Sequence, residues 1–257
     1  MLLNVAYVPN GGERQRLDLY LPGTGTNWPL IVWIHGGGWM GGSKEKPPGL
    51  RFLRHGFALA SINYRLSQDA VFPAQLIDCK AAIRWLRAHA PENGINPGRI
   101  GVWGASAGGH LVALLGTTGD VKEYDQGENV GVSSRVQAVC DWFGPTDFTS
   151  GLKQDTPDSP EARLIGGPIS QNTEKAQRAN PIRYITKDDP PFLIMHGDKD
   201  PVVPLAQSQL LADALQKAGV RVTFRVVPGA GHGGPEFREP EELDRLFVFF
   251  LRNLKGD

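Results

Sequence analysis

The sequence predicts an α/β fold with a mostly parallel, eight-stranded sheet and helices on both faces. Short apolar runs typical of buried strands alternate along the chain with amphipathic, helix-favouring runs. This alternation builds βαβ units, whose right-handed crossovers place the helices against the sheet. The chain has 257 residues, of which 40% are hydrophobic and 21% are charged, which is ordinary for a globular protein. We therefore expect residues 1–257 to form a single domain.

Each strand is predicted from its own residue pattern. Residues 2–8 and 14–21 alternate in polarity around Pro9-Asn-Gly-Gly12, which predicts a hairpin and an antiparallel edge to the sheet. The other strands are predicted from largely apolar runs, as expected for strands buried on both faces. These runs are 29–34, 57–63, 99–103, 136–143, 191–195 and 220–227.

Apolar residues three and four positions apart predict the helices. The clearest helix opens at Phe72-Pro73 and ends near Asn93-Gly94. Further helices are expected near 50–55, after Ser106 to about 115, and over 204–218 and 239–254. Residues 117–134 predict a loop. Residues 144–190 are rich in Pro, Asp, Ser, Thr and Gln, and we interpret them as a small, cap-like surface excursion.

Composition excludes several classes of function. Lys+Arg and Asp+Glu both number 27, and no basic stretch predicts a nucleic-acid partner or binding to an anionic membrane. The apolar runs are too short to span a bilayer. Residues 1–8 do not resemble a signal peptide, so we expect a cytoplasmic location for the chain as given, although a trimmed leader stays possible. Cys79 and Cys140 are expected as reduced core thiols.

The candidate nucleophile is Ser106, within Gly104-Ala-Ser-Ala-Gly108. An apolar strand precedes this G-x-S-x-G pattern and a helix-favouring run follows it. A strand that turns abruptly into a helix exposes the serine in a strained conformation, and the glycines let other backbone pass close behind it. The pattern alone is weak, because Gly, Ala and Ser are common residues. The strand and helix around it favour a nucleophile.

A serine hydroxyl needs a neighbouring base, which in turn needs an orienting carboxylate. His232 lies in the glycine-rich loop 228–234 between the last strand and the last helix, from which it can reach the sheet edge. Of the other five histidines, His55, His89 and His110 lie on predicted helices. His35 and His196 lie at strand ends before glycines, where we expect them to stabilise their loops. Of the two carboxylates that follow the preceding strand, Asp200 is favoured because it lies further into the loop, whereas Asp198 suits a turn cap.

The oxyanion of an acyl-transfer reaction also needs backbone donors. The glycines of His35-Gly-Gly-Gly-Trp39 leave backbone N–H groups accessible after a buried strand, and Ala107 N–H directly follows the nucleophile. No group of His, Cys, Asp or Glu residues in the sequence has the spacing of a metal site, and the glycine run is not followed by the Gly-Lys-Ser/Thr of a phosphate-binding loop. We therefore expect no metal and no cofactor.

Together, these motifs resemble the α/β-hydrolase esterases of the hormone-sensitive-lipase-like group, closest to its compact bacterial acetylxylan and feruloyl esterases. The resemblance rests on the three motifs around Gly37, Ser106 and Asp200, with support from Asn63-Tyr-Arg-Leu66 and Phe143-Gly-Pro-Thr-Asp147. It implies that Gly37 and Gly38 donate to the oxyanion together with Ala107. It also supports Asp200 over Asp198.

The resemblance implies a serine carboxylic ester hydrolase acting on small or carbohydrate-borne esters of acetyl or feruloyl type. Larger group members carry an N-terminal cap before the first strand; because this sequence starts at that strand, we expect no such cap and an open cleft. Trp39, Trp142 and Phe143 are candidates to line the substrate pocket, and Tyr64 and Arg65 to brace the glycine loop. Two alternatives stay open: an amide hydrolase such as an arylformamidase or small peptidase, and a non-catalytic binding protein on the same fold. The sequence does not predict the oligomeric state.

Overall fold

The computed structural model describes residues 1–150 and 156–256 and contains one eight-stranded sheet. The strands are β1 (Leu2–Ala6), β2 (Arg16–Tyr20), β3 (Trp28–Ile34), β4 (Ala58–Ile62), β5 (Ile95–Ala105), β6 (Ala138–Trp142), β7 (Phe192–Gly197) and β8 (Val222–Val227). Their spatial order is β1-β2-β4-β3-β5-β6-β7-β8. The pairs β1–β2 and β2–β4 are antiparallel, and all others are parallel. This is the α/β-hydrolase fold, as predicted.

Helices cover both faces of the sheet because its central strands are apolar on both sides. In β3, Val32 packs into the core beneath one set of helices, and Ile31 packs into the core on the opposite face. The helices are α1 (Ala74–Ala88), α2 (Ala107–Thr117), α3 (Pro160–Ile165), α4 (Thr173–Arg178), α5 (Leu205–Lys217) and α6 (Pro240–Leu254). Helices α1, α2 and α5 bury their apolar residues on the first face, and α6 on the second together with a 3₁₀ helix at Pro48–His55.

The segment 144–190 is packed more closely than its polar composition suggests. Residues 151–155 lie outside the described residues. In the rest, Phe148, Leu164 and Ala176 are buried and belong to the core on the α1 and α2 face. The start of the segment is held by hydrogen bonds from its backbone amides. The amides of Thr146 and Asp147 donate to Gln207 of α5, and the Phe148 amide donates to Asn180. The described residues of the segment therefore contribute side chains to the core.

Two further observations bear on the sequence-based expectations. Cys79 and Cys140 are both free thiols buried in the core, and burial raises the pKa of each. Among the helices in the described part of the chain, none has the length and apolar character needed to cross a membrane.

Candidate active site

The turn that carries Ser106 joins β5 to α2 at the carboxyl end of the sheet. Ser106 has φ 56° and ψ −120°, a backbone conformation that non-glycine residues rarely adopt. Its amide donates to the Trp142 carbonyl of β6 (2.8 Å), and its carbonyl accepts the first helical hydrogen bond from His110 (3.0 Å). The strained turn is thus held from both sides and leaves Ser106 partly exposed.

Glycine is required on both sides of this turn. A Cβ on Gly104 would collide with the Gly108 carbonyl, and one on Gly108 would collide with the Ile34 carbonyl at the end of β3. The glycines therefore let the turn pack directly onto the neighbouring strand, as the G-x-S-x-G pattern predicts.

The side chains of Ser106, His232 and Asp200 form one hydrogen-bonded chain. His232 Nε2 lies 2.9 Å from Ser106 Oγ, and His232 Nδ1 lies 2.7 Å from Asp200 Oδ2. Because an ionised carboxylate only accepts, Nδ1–H donates to Asp200, and Nε2 is left to accept from the serine hydroxyl. The residues come from three separate loops, after β5, β7 and β8 respectively.

Asp200 is enclosed by hydrogen-bond donors. Its Oδ1 accepts from the amides of Val202 (2.8 Å) and Val203 (2.9 Å), and its Oδ2 also lies 3.2 Å from His196 Nε2. Burial acts to raise the pKa of Asp200, but the hydrogen bonds from His196, His232 and the Val202 amide outweigh it and hold the pKa well below its usual range. Asp200 is therefore an anion at any pH near neutrality.

Asp198 occupies a different position from Asp200. Its Oδ1 accepts from the Gly229 amide (2.7 Å), which closes the turn before the glycine-rich loop. This contact agrees with the turn-capping role considered for Asp198 from the sequence.

His35 and His196 at strand ends, and His110 in α2, are buried and hydrogen-bonded. His35 Nδ1 contacts the Gly36 carbonyl (2.8 Å), and the ring stacks on Tyr64. His110 contacts the Ala179 carbonyl at 2.7 Å. Burial lowers the pKa of both His35 and His110 to about 4, so both rings are neutral at pH 7. His196 also contacts Asp200, in addition to its hydrogen bonds within the loop and to α5. This contact was not predicted from the sequence, because the residue pattern of a buried strand does not indicate which loop residue its last side chain meets.

The glycine loop after β3 lies against the serine turn. A Cβ on Gly36 would lie 2.7 Å from the Ala105 carbonyl and 3.3 Å from Ser106 Cβ. Gly37 (φ 115°) and Gly38 (φ 58°) adopt left-handed backbone conformations, and a Cβ on Gly37 would lie 2.5 Å from the Gly41 carbonyl. Only glycine fits the first two positions.

Tyr64 supports this loop, and Arg65 does not. The Tyr64 hydroxyl donates to the His35 carbonyl at 3.0 Å, just before the glycines. Arg65 instead forms a bidentate ion pair with Asp78 of α1 (2.8 Å to each oxygen). Ala107 opens α2, where the first amides have no partner within the helix. The Ala107 N–H is thus a donor beside Ser106.

The aromatic residues expected at the pocket divide into two groups. Trp142 and Phe143 line a cavity of about 800 Å³ beside the glycine loop, and the Phe143 ring packs on His232 with centroids 4.6 Å apart. Trp39 does not line this cavity. Its backbone is left-handed (φ 56°), and its indole, 2% exposed, packs inward against His110 and Phe148 and not against the cavity.

A second cavity, of about 610 Å³, lies at the amino ends of β7 and β8, against α6. It is at the opposite edge of the sheet from Ser106. Among the described residues, no group of three or more His, Cys, Asp or Glu side chains is arranged to hold a metal ion.

Comparisons with known proteins place this chain among esterases. A family model described as BD-FAE matches residues 17–215. Esterase LipQ of Mycobacterium tuberculosis is 31% identical over 238 residues, which are 89% of this chain and 56% of LipQ. The chain thus spans about half the length of the curated relatives it matches.

Solved structures are similar over almost the whole chain. A truncated form of a carbohydrate esterase from gut microbiota is 37% identical with a TM-score of 0.93, covering 98% of this chain and 95% of that one. An acetyl ester-xyloside bifunctional hydrolase from Caldicellulosiruptor lactoaceticus is 27% identical with a TM-score of 0.79, covering 94% of this chain and 88% of that one.

Proposed function

The chain belongs to the BD-FAE family of α/β-hydrolase esterases, and we propose that it is a serine carboxylic ester hydrolase that uses Ser106, His232 and Asp200. The observation that carries the proposal is the hydrogen-bonded chain from Ser106 Oγ through His232 to Asp200, with distances of 2.9 and 2.7 Å. A nucleophile within hydrogen-bond reach of a base that a carboxylate orients is the arrangement that activates serine.

The reaction proceeds through an acyl-enzyme. Ser106 Oγ attacks the ester carbonyl carbon while His232 Nε2 takes the hydroxyl proton. The tetrahedral intermediate then collapses, the bond to the alcohol oxygen breaks, and His232 returns the proton to the departing alcohol. Water attacks the acyl-enzyme with His232 again as base, which releases the acid and regenerates Ser106. Asp200 stabilises the imidazolium and keeps His232 in the required tautomer.

The oxyanion is stabilised by the backbone amides of Gly37, Gly38 and Ala107. The left-handed glycines and the first amide of α2 lie on two sides of Ser106. Removing one such donor typically reduces the rate by about 10²–10³. No metal ion and no cofactor takes part in this mechanism.

Acetyl or feruloyl esters, small or carbohydrate-borne, are the proposed substrates. Two similar structures support this choice through their descriptions as a carbohydrate esterase and an acetyl ester-xyloside hydrolase. We further propose that α3 roofs part of the cleft, since Pro160 lies 3.4 Å from where a Cβ on Gly38 would be. Trp142 and Phe143 then form the wall of the substrate pocket.

The test is replacement of the nucleophile. We expect Ser106→Ala to reduce hydrolysis of p-nitrophenyl acetate by about 10⁶-fold, the loss typical for removing such a serine. Exposed Ser133, replaced by alanine, is the matched control and should keep full activity. An undiminished rate in Ser106→Ala would exclude the proposed nucleophile. Absence of fluorophosphonate labelling at Ser106 would favour a non-catalytic protein, and faster hydrolysis of aminoacyl anilides than of esters would favour an amidase.

A further inference from the structure

The 800 Å³ cavity is lined by chain neighbours of the proposed catalytic residues, including Ala105, Gly233 and Gly234. Gly36 and Gly37 of the glycine loop form one part of its wall, and Gly233 and Gly234 form another. The first pair follows the strand beside the serine turn, and the second pair directly follows His232. The cavity therefore lies beside the loops that carry Ser106 and His232.

The outer wall of the cavity carries an excess of positive charge. Its charged lining residues in the described chain are Lys46, Arg51 and Arg238, with Glu45 as the one anion. His35 also lines the cavity, but burial lowers its pKa to about 4 and leaves it neutral. The chain as a whole has a formal net charge of zero, so this excess is local.

In the described part of the chain, none of the three cations forms an ion pair with a carboxylate side chain. Within residues 1–150 and 156–256, no carboxylate lies in ion-pairing distance of Lys46, Arg51 or Arg238. Some other arginines do have such a partner; Arg245, for example, contacts both Glu241 and Glu242. All three cationic residues are exposed, and they line the cavity from two separate segments of the chain, 46–51 and 238.

We propose that this cavity selects esters that carry a carboxylate on their alcohol part. Several unpaired cations around one concave site concentrate anions and orient them by electrostatic steering. Arginine guanidinium groups also bind carboxylates through two parallel hydrogen bonds. Aromatic side chains of Trp33 and Trp142 in the wall supply the apolar surface for the rest of the alcohol.

The alcohol part is assigned to this cavity because of the position of His232. The imidazole must return its proton to the departing alcohol oxygen, so the alcohol leaves on the side of Nε2. Gly233, Gly234 and Arg238 all belong to the segment that follows His232 and form the cavity wall there. The inference rests on the proposed esterase activity and adds the charge of its substrate.

The test compares two acetyl esters that differ in the charge of the alcohol. 4-Acetoxybenzoate has a carboxylate, and methyl 4-acetoxybenzoate does not; both form the same acetyl-enzyme. We expect the ratio of their kcat/KM values to fall about tenfold in Lys46→Gln/Arg51→Gln/Arg238→Gln, since each exposed charge interaction contributes a few-fold. The ratio for the native chain should also fall between about 0.01 and 1 M salt, where screening shortens from about 30 to 3 Å.

A matched variant separates a local effect from a change in net charge. Arg99→Gln/Arg183→Gln/Lys187→Gln removes the same three charges from exposed positions outside the cavity, and it should leave the ratio unchanged. An equal fall in both triple variants, or no fall in the cavity variant, would overturn the proposal. Because the neutral ester is the denominator, a general loss of activity cancels.

Acyl-side selection is tested with p-nitrophenyl hydrogen succinate against p-nitrophenyl butyrate. A cavity-dependent preference for the anionic acyl group alone would also overturn the assignment to the alcohol. If the native chain hydrolyses neither neutral ester, the proposed esterase function itself fails. Hydrolysis of the neutral esters without the charge preference contradicts only the inference drawn from the cavity.

Discussion

Asp141 and Asp200 are two enclosed aspartates at the same edge of the sheet. They differ in the number of hydrogen-bond donors that surround the carboxylate. Asp141 is the penultimate residue of β6 and is 1% exposed, and the Asp200 side chain, in the loop after β7, is 0% exposed. Asp200 is surrounded by donors from two histidines and two amides. Asp141 accepts one hydrogen bond, from the Gly144 amide at 2.9 Å, and among the described residues its Oδ2 has no partner.

The pKa values move in opposite directions as a result. Burial raises the pKa of Asp141 from 3.8 to about 6, and the Gly144 hydrogen bond offsets only part of this. At Asp200, burial acts in the same direction, but several donors reverse it and the pKa falls well below its usual range. Burial alone therefore does not determine the charge of a carboxyl; the number of donors that face it does. Only Asp200 has the stable negative charge needed to orient His232.

The strongest test of this contrast is Asp200→Asn. We expect kcat for p-nitrophenyl acetate to fall about 10⁴-fold, because an amide favours the His232 tautomer that cannot accept the serine proton. Asp198→Asn is the matched control: it removes a carboxylate two residues away that caps the Gly229 turn. A larger loss in Asp198→Asn than in Asp200→Asn would reverse the assignment of the acid.

Asp141→Asn tests the other half of the contrast through stability. Well below pH 4, Asp141 is protonated in both the folded and the unfolded state. Between about pH 4 and pH 6 the unfolded state releases this proton while the folded state keeps it, so the native chain loses about 3 kcal/mol of stability at this site by the time the pH exceeds the folded-state pKa of about 6. The asparagine variant lacks this loss. Its free energy of unfolding relative to the native chain should therefore increase by about 2 kcal/mol between pH 4 and pH 7.

Urea unfolding at the two pH values measures that difference, and kcat serves as the internal check. Because Asp141 does not contact His232 or Ser106, the variant should keep most of its activity. A stability difference that is the same at pH 4 and pH 7 would contradict a raised pKa.

His196→Gln weakens the donor set of Asp200 and should make the two aspartates more alike. The depressed pKa of Asp200 stabilises the folded state above the unfolded-state pKa near 3.9, and this contribution disappears as the pH falls through the folded-state value. Loss of one donor to a buried charge should remove about 1–3 kcal/mol of stability at pH 7 and less at pH 3. Urea unfolding of the variant and the native chain at pH 7 and pH 3 measures this difference. An equal loss of stability at the two pH values would indicate a packing defect and not a change in the pKa of Asp200.

Some of this site was predictable from the sequence and some was not. The positions of the strands along the chain and the serine turn follow from patterns within a few residues, such as the glycines on both sides of Ser106. The contact of His196 with Asp200 depends on how one loop folds back over a strand end, which no local pattern encodes. The inward packing of Trp39 likewise depends on a left-handed backbone and on Phe148, which is distant in sequence.

The segment 144–190 illustrates the same limit for secondary structure. Helices α3 and α4 have six residues each, fewer than two turns, so their apolar residues cannot repeat often enough to form a recognisable stripe. The burial of Phe148 and Leu164 comes from contact with the core formed by the rest of the chain. Tertiary packing, not local propensity, determines this part of the structure.

Ser208→Ala is expected to have the smallest effect of these changes, because it acts on Asp200 only through His196. The Ser208 hydroxyl lies 2.7 Å from His196 Nδ1, while His196 Nε2–H donates to the Val203 carbonyl at 2.9 Å. Removing the hydroxyl leaves Nδ1 without that donor and should lower the free energy of unfolding by about 1 kcal/mol. Since Nε2 keeps its contacts with Val203 and Asp200, kcat should change little. A loss of kcat as large as that of His196→Gln would mean that the orientation of the His196 ring, and not its presence, maintains the charge of Asp200.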